Sequence, residues 1–322
     1  MSSDLVNDPR LASGDPGVRR IAVLDIADAE DDGDLPVLVT ALLQDAAGSV
    51  RAEAARALGG WGHPLAVDAL AQALLDADAD VRANAAAAIA QLKDPAAGEG
   101  LLPWALHDDP AVRAAALRGL KELRIPAAVA PARAALDHRD ASVRREAVGV
   151  LGWLKAADAL PAIARLATTD PDAEVRRVAT GALGLSSEDG HAVALPALLA
   201  ALRDLQWPIR EEAATTLAKL APPQAREALL AAMSDDAWQV RLRAARALGR
   251  LRDPAAVPAL VEALSHRMGN LRKEAAIALG EIGAAEARPA LELAATDPDP
   301  EVRKTSRLAL GRLASDASAS AA

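Results

Sequence analysis

The sequence predicts an all-α fold: a right-handed α-solenoid of about ten two-helix repeats of ~31 residues. Three observations predict it. An arginine that follows an aliphatic residue returns at Arg19, Arg51, Arg82, Arg113, Arg144, Arg176, Arg210, Arg241, Arg272 and Arg303, at intervals of 31 to 34 residues. Counted from that arginine, apolar residues recur at about −1, +3, +4, +7 and +10, often with Gly at +8, which is one face of a 3.6-residue helix, helix B. Upstream of each arginine runs a second apolar stretch, helix A, as in Ala256 to Leu264 or Leu195 to Leu202. Two short helices cannot enclose a core alone, so each hairpin must stack on its neighbours.

The turns between helices carry their own chemistry. Asp15-Pro16, Asp109-Pro110 and Asp299-Pro300 place a capping carboxylate before a proline at the first helical position. Asp78, Asp140 and Asp172 fill the same slot without the proline. Asp94-Pro95 and Asp253-Pro254 end one repeat and open the next.

These turns resemble the HEAT repeat, and specifically the short HEAT-like repeat of phycobilisome (bilin) lyases. The resemblance is carried by the Asp-Pro-x-Val-Arg-x-x-Ala turn, seen at Asp109 to Ala114, and the Ala-Leu-Gly-x-Leu-x-Asp-Pro-x-Ala run at Ala247 to Ala255. It covers roughly Asp15 to Leu313 and implies that turn aspartates and the anchoring arginines form a ladder between repeats. That repeat serves lyases, assembly factors and plain adaptors, so it specifies fold far more closely than function.

Composition bounds the rest. The 52% apolar content is mostly Ala and Leu, with no Phe or Tyr and five Trp. Small side chains suit closely packed helices. A net charge of −9 argues against nucleic acid or an anionic membrane as partner. Without cysteine there are no disulfides or thiolate metal sites. No signal-like stretch opens the chain and no apolar run approaches membrane-spanning length, so the expectation is a cytoplasmic monomer.

Taken in order, residues 1–12 have no repeat partner and read as a flexible N-terminus or partial cap, residues 13–314 as one solenoid, and residues 315–322 as a disordered tail. Ile21 and Leu24 fall on the usually exposed side of the first helix B. The acidic run Asp25 to Asp34 has the opening spacing of a calcium loop, but Val39 stands where a bidentate Glu is required, so it reads as a solvated loop. Trp61 falls on the +10 core slot, while Trp153, at +9, is expected to be partly exposed. Ser306 and Arg307 take normally apolar slots of the last helix and read as the polar face of a terminal cap.

Repeats six to nine break the pattern. Ser186 to His191 extends one loop, and the capping Asp is lost in the next three turns, at Gln206-Trp207, Ala237-Trp238 and Met268-Gly269. Trp207 and Trp238 share the −3 position of adjacent repeats and should project side by side. Arg243, Arg246 and Arg250 lie on one face of a helix B. Trp and Arg are the residues enriched at interface hot spots. The candidate partner-binding set is therefore Trp207, Trp238, Arg243, Arg246 and Arg250, with the 186–191 loop and Met268 at its rim and Trp153 as a second face. Glu212 and Glu274 stand level with Arg243 as candidate structural partners.

No catalytic motif is present: no phosphate loop, no Gly-x-Ser-x-Gly and no His-Glu-x-x-His. Deoxyhypusine hydroxylase, an enzyme of HEAT-like repeats, binds iron through His-Glu pairs, and this chain has no His-Glu dipeptide. His107, His138 and His266 replace the Asp found at −6 in other repeats and read as hydrogen-bonding substitutes rather than metal ligands, since equivalent positions on stacked helices lie ~8–10 Å apart. The expectation is a non-catalytic scaffold without cofactor or metal, which binds an extended segment of another protein. A bilin-lyase subunit is the alternative, and a nucleic-acid binder, as in HEAT-like DNA repair glycosylases, the least favoured.

Overall fold

The computed structural model describes residues 8–29 and 31–320, and the chain is all helical, an α-solenoid of HEAT-type hairpins without strands among those residues. It divides into two units, Met1–Ala156 and Ala157–Ala322.

The first unit opens with a 3-10 turn, Pro9–Ala12, capped by Asp8, and Arg10 ties this turn to Asp25 at 2.6 Å. Residues 1–7 of the expected flexible N-terminus lie outside the described residues. Among the described residues nine α-helices follow: α1 (Pro16–Asp28), α2 (Leu35–Gln44), α3 (Gly48–Ala57), α4 (Pro64–Ala73), α5 (Ala79–Ile89), α6 (Ala97–Leu101), α7 (Pro110–Leu123), α8 (Val129–Ala135) and α9 (Ala141–Trp153). Odd-numbered helices carry the anchoring arginines and pack in succession as one layer, with α2, α4 and α6 stacked in the other. The expected caps are formed: Asp15, Asp78, Asp109 and Asp140 each accept a backbone N–H of the first helical turn.

The second unit holds α10 (Leu160–Thr169), α11 (Ala173–Leu183), α12 (His191–Ala201), α13 (Trp207–Leu220), α14 (Arg226–Ala232), α15 (Trp238–Leu251), α16 (Val257–Ala263), α17 (Gly269–Ile282), α18 (Arg288–Ala294) and α19 (Pro300–Ser320). Here α11, α13, α15, α17 and α19 form the arginine-bearing layer. The longer loop contains a 3-10 turn, Glu188–Gly190, that absorbs the added residues before α12. Glycine at +8 has a packing reason: a Cβ on Gly249 would lie 2.8 Å from the Ala278 backbone, and one on Gly280 would lie 2.8 Å from the Ala309 Cβ. Neighbouring helices touch there almost backbone to backbone.

Three expectations are corrected in detail. Trp61 is half-buried rather than core, because α3 gives way to a 3-10 turn at Leu58–Gly60 and rotates the next residue off the helical face. Ser306 is fully buried, with its hydroxyl unpaired among the described residues, so of the two expected polar positions Arg307 alone faces outward. Of the tail expected to be disordered, 315–322, the last helix runs on to Ser320, through an Ala/Ser stretch whose alanines favour helix, and residues 321–322 lie outside the described residues. Among the described residues no helix is long and apolar enough to cross a membrane.

The implied ladder is present and has gaps. Arg19 grips Asp45 with Nε and one terminal nitrogen, at 2.7 and 2.8 Å, and Arg51 grips Asp76 in the same way. Arg176 with Asp204, Arg210 with Asp235 and Arg272 with Asp297 repeat it in the second unit. Such bidentate, partly desolvated pairs are the strong kind. Each aspartate does double work, since its Oδ1 also accepts the N–H two residues on, as Asp235 does from Ala237 at 2.9 Å. The Arg19, Arg51 and Arg272 guanidinium groups hold Asp45, Asp76 and Asp297 below the usual carboxylate range.

Where histidine replaces the aspartate, the second task survives and the first is lost. Nδ1 of His107, His138 and His266 accepts from Asp109, Asp140 and Met268 N–H, each at 3.0 Å, which bears out the reading of these residues as hydrogen-bonding substitutes. Their would-be partners Arg82, Arg113 and Arg241 make no ion pair among the described residues and bond only to backbone carbonyls. The Arg113 Nε is buried without a hydrogen-bond partner among the described residues.

Candidate partner-binding groove

Helices α13, α15 and α17 lie side by side because each presents its apolar face to the next, burying Ile209, Val240 and Leu271 at equivalent positions. Their opposite edges bound a groove of about 380 Å³. Trp238 stands at its head, Leu242 and Ile277 add apolar walls, and Arg243, Arg246, Lys273, Glu211 and Glu274 supply charge.

The charges are ordered. Arg243 Nε donates to Glu211 Oε1 at 3.0 Å. Arg246 grips Glu274 with Nε and a terminal nitrogen, both at 2.8 Å, and Glu274 is buried beneath it. That hydrogen bond holds the Arg246 guanidinium in its charged form more firmly still. The groove thus offers a flat indole, aliphatic surface and two oriented ion pairs. Its arginines keep free N–H edges toward solvent, since neither exhausts its five donors.

Of the sequence-derived set, Trp238, Arg243 and Arg246 come together here. The others do not line the groove. Trp207 opens α13 and is 40% exposed beside Leu205, which is 95% exposed. Arg250 lies two turns further along α15, exposed. Met268 is the residue before α17, half-buried, its N–H engaged by His266. Trp153 belongs to the first unit, 47% exposed, with the Arg124 guanidinium 4.5 Å above its ring. This cation–π contact gives Trp153 a partner within its own unit. Glu211 and Ile277 were not legible as site residues; the pairing partner expected for Arg243 was Glu212 or Glu274, and it is Glu211. Among the described residues no three His, Asp or Glu side chains converge to hold a metal ion.

Comparison with known proteins agrees with this architecture. The family model for HEAT repeats matches residues 35–110, 98–184, 195–269 and 263–322. No curated protein matches the chain significantly. Among solved structures, an engineered protein is similar at 24% identity and TM-score 0.55, covering 96% of this chain and 98% of its own. Kap95p in its complex with RanGDP is similar at 17% identity and TM-score 0.66, and Kap95 in its complex with Nup1 at 16% and 0.63; both cover 94% of this chain and 49% of their own. The chain spans about half the length of Kap95. At these identities the likeness is one of fold.

Proposed function

We propose that this chain, which belongs to the HEAT-repeat family, is a non-catalytic scaffold or assembly factor that cradles a segment of another protein in the groove between α13, α15 and α17. A cytoplasmic monomer is part of the same reading. The observation that carries it is the convergence of Trp238, Arg243 and Arg246 on one groove with Leu242 and Ile277. Aromatic and arginine side chains framed by aliphatic surface are what binding hot spots are made of, and pre-paired arginines lose little side-chain entropy on binding. Kap95, of similar fold, is seen bound to Nup1 and to RanGDP, which supports protein partners for a solenoid of this kind. The net charge of −9 speaks against a nucleic acid as partner.

The short-repeat subtype of the bilin lyases rests on the turn motifs alone, and a tetrapyrrole role gains little from the groove. Propionates would have to compete with Glu211 and Glu274 for Arg243 and Arg246. Affinity capture with the wild-type chain, Trp238→Ala and a matched Trp153→Ala control tests the scaffold reading. It stands if one protein is retained by wild type and control and lost with Trp238→Ala. Equal retention by all three sinks the groove as the site.

A further inference from the structure

The ladder of the second unit contains its own standard for what a broken rung lacks. At Arg210 and Arg272 the guanidinium gives Nε and one terminal nitrogen to a carboxylate, and the other terminal nitrogen to the carbonyl six residues earlier. Arg241 sits in the same place between them and faces His266 instead of Asp. It has turned so that Nε takes the carbonyl of Asp235, and both its terminal nitrogens lack an acceptor among the described residues. Bidentate donors left without a carboxylate are a recognition element awaiting one.

Those nitrogens are not sealed in the core. Arg241 and His266 line a cleft of about 300 Å³ whose apolar walls are Leu230, Met233 and Leu271, with Ser265 polar and the exposed Glu262 at the edge. His266 presents Nδ1 to the Met268 N–H, so its neutral tautomer carries the proton on Nε2, a second donor. Burial first, and then the nearby Arg241, Arg267 and Arg272, hold its pKa below the ordinary histidine value. An apolar wall beside paired donors selects an anion with an apolar body.

We propose that this cleft binds a carboxylate carried on a small aliphatic group, which completes the missing rung at Arg241. The ligand is either a free aliphatic acid or the chain terminus of a polypeptide, and both present the same chemistry. This site is separate from the groove at Trp238, and its test does not depend on that reading.

The experiment follows the Arg241 Nε–H resonance of the full chain while chloride is exchanged for isobutyrate at constant ionic strength. The expected result is a saturable shift that isobutyramide, its neutral isostere, does not produce. His266→Asp supplies the rung from within, and should fold and bind isobutyrate at least tenfold more weakly. A second titration compares acetyl-Gly-Gly-Leu as free acid and as amide. Tighter binding of the free-acid peptide than of isobutyrate assigns the site to a chain terminus, and the reverse assigns it to a free acid. Equal shifts with isobutyrate and isobutyramide, undiminished binding by His266→Asp, or saturation only near about 0.1 M, far weaker than a millimolar site, would each overturn the proposal.

Discussion

Two adjacent rungs of the second unit, Arg210 with Asp235 and Arg241 with His266, occupy equivalent places one repeat apart and behave as different objects. The first arginine is wrapped by a carboxylate at 2.6 and 2.8 Å and is a structural bolt between hairpins. Among the described residues the second holds only a backbone carbonyl, and it opens into a cleft. One residue type at a fixed repeat position therefore does not have one role, because the role depends on what the next repeat places opposite it. Histidine conserves the turn and abandons the bolt, which separates two tasks that aspartate fuses.

The sharpest way to break this comparison is to truncate both arginines. Arg210→Ala leaves Asp235 partly buried without its bidentate partner, with only the Arg241 charge nearby among the described residues, and should lower unfolding free energy by about 3 kcal/mol. Arg241→Ala abandons no carboxylate and should cost about 1 kcal/mol or less. Urea denaturation of the two variants measures the contrast, and equal losses would mean that the ladder is ornamental.

Aspartate's two tasks separate in a second pair. Asp235→Ala removes both the ion pair and the acceptor for Ala237 N–H, whereas Asp235→His should keep the acceptor, as His266 does for Met268. The alanine variant should be less stable than the histidine variant by about 1 kcal/mol, the worth of a capping acceptor. Identical midpoints in urea would show that the turn hydrogen bond contributes nothing.

Converting the open rung into a closed one gives the next smaller effect. His266→Asp should raise stability at neutral pH by about 1 kcal/mol, net of desolvating the new pair. An aspartate held by arginine has a depressed folded pKa, as Asp297 has beside Arg272. Its contribution is present above the unfolded value of about 3.9 and fades as pH falls through the folded value. Measured against His266→Asn, which offers an acceptor but does not titrate as the half-buried His266 does, the gain should therefore be complete at pH 6 and shrink below pH 4. A gain that persisted at pH 3 would not come from an ion pair.

How much of this was legible follows from the geometry of a repeat. The −6 and cap positions could be read because they sit in a turn whose backbone is the same each time, so Asp and His substitute within one frame. The groove was half legible: spacing alone placed Arg243 and Arg246 on one helix face. Their partners were not, since pairing across helices depends on axial stagger. Arg246, at +5, meets Glu274, at +2, and Arg243, at +2, meets Glu211, at +1. Trp207 does not line the groove, and sharing the −3 position with Trp238 fixes only where each helix begins.

The smallest prediction supplies the control that the rung comparison needs. Helix α13 ends on Ala221 in the left-handed region, φ 45°, where α17 ends on Gly283 at φ 75°. A Cβ in that region costs roughly 1 kcal/mol, while glycine adds some entropy to the unfolded chain, so Ala221→Gly should stabilise by about 0.5 kcal/mol. The change touches neither Arg210 nor Arg241. Its gain should therefore be the same at pH 6 and pH 3 in urea denaturation, and it should leave isobutyrate binding at Arg241 unaltered. If Ala221→Gly weakened that binding, added stability itself would close the cleft, and the loss seen with His266→Asp would no longer identify the carboxylate as the cause.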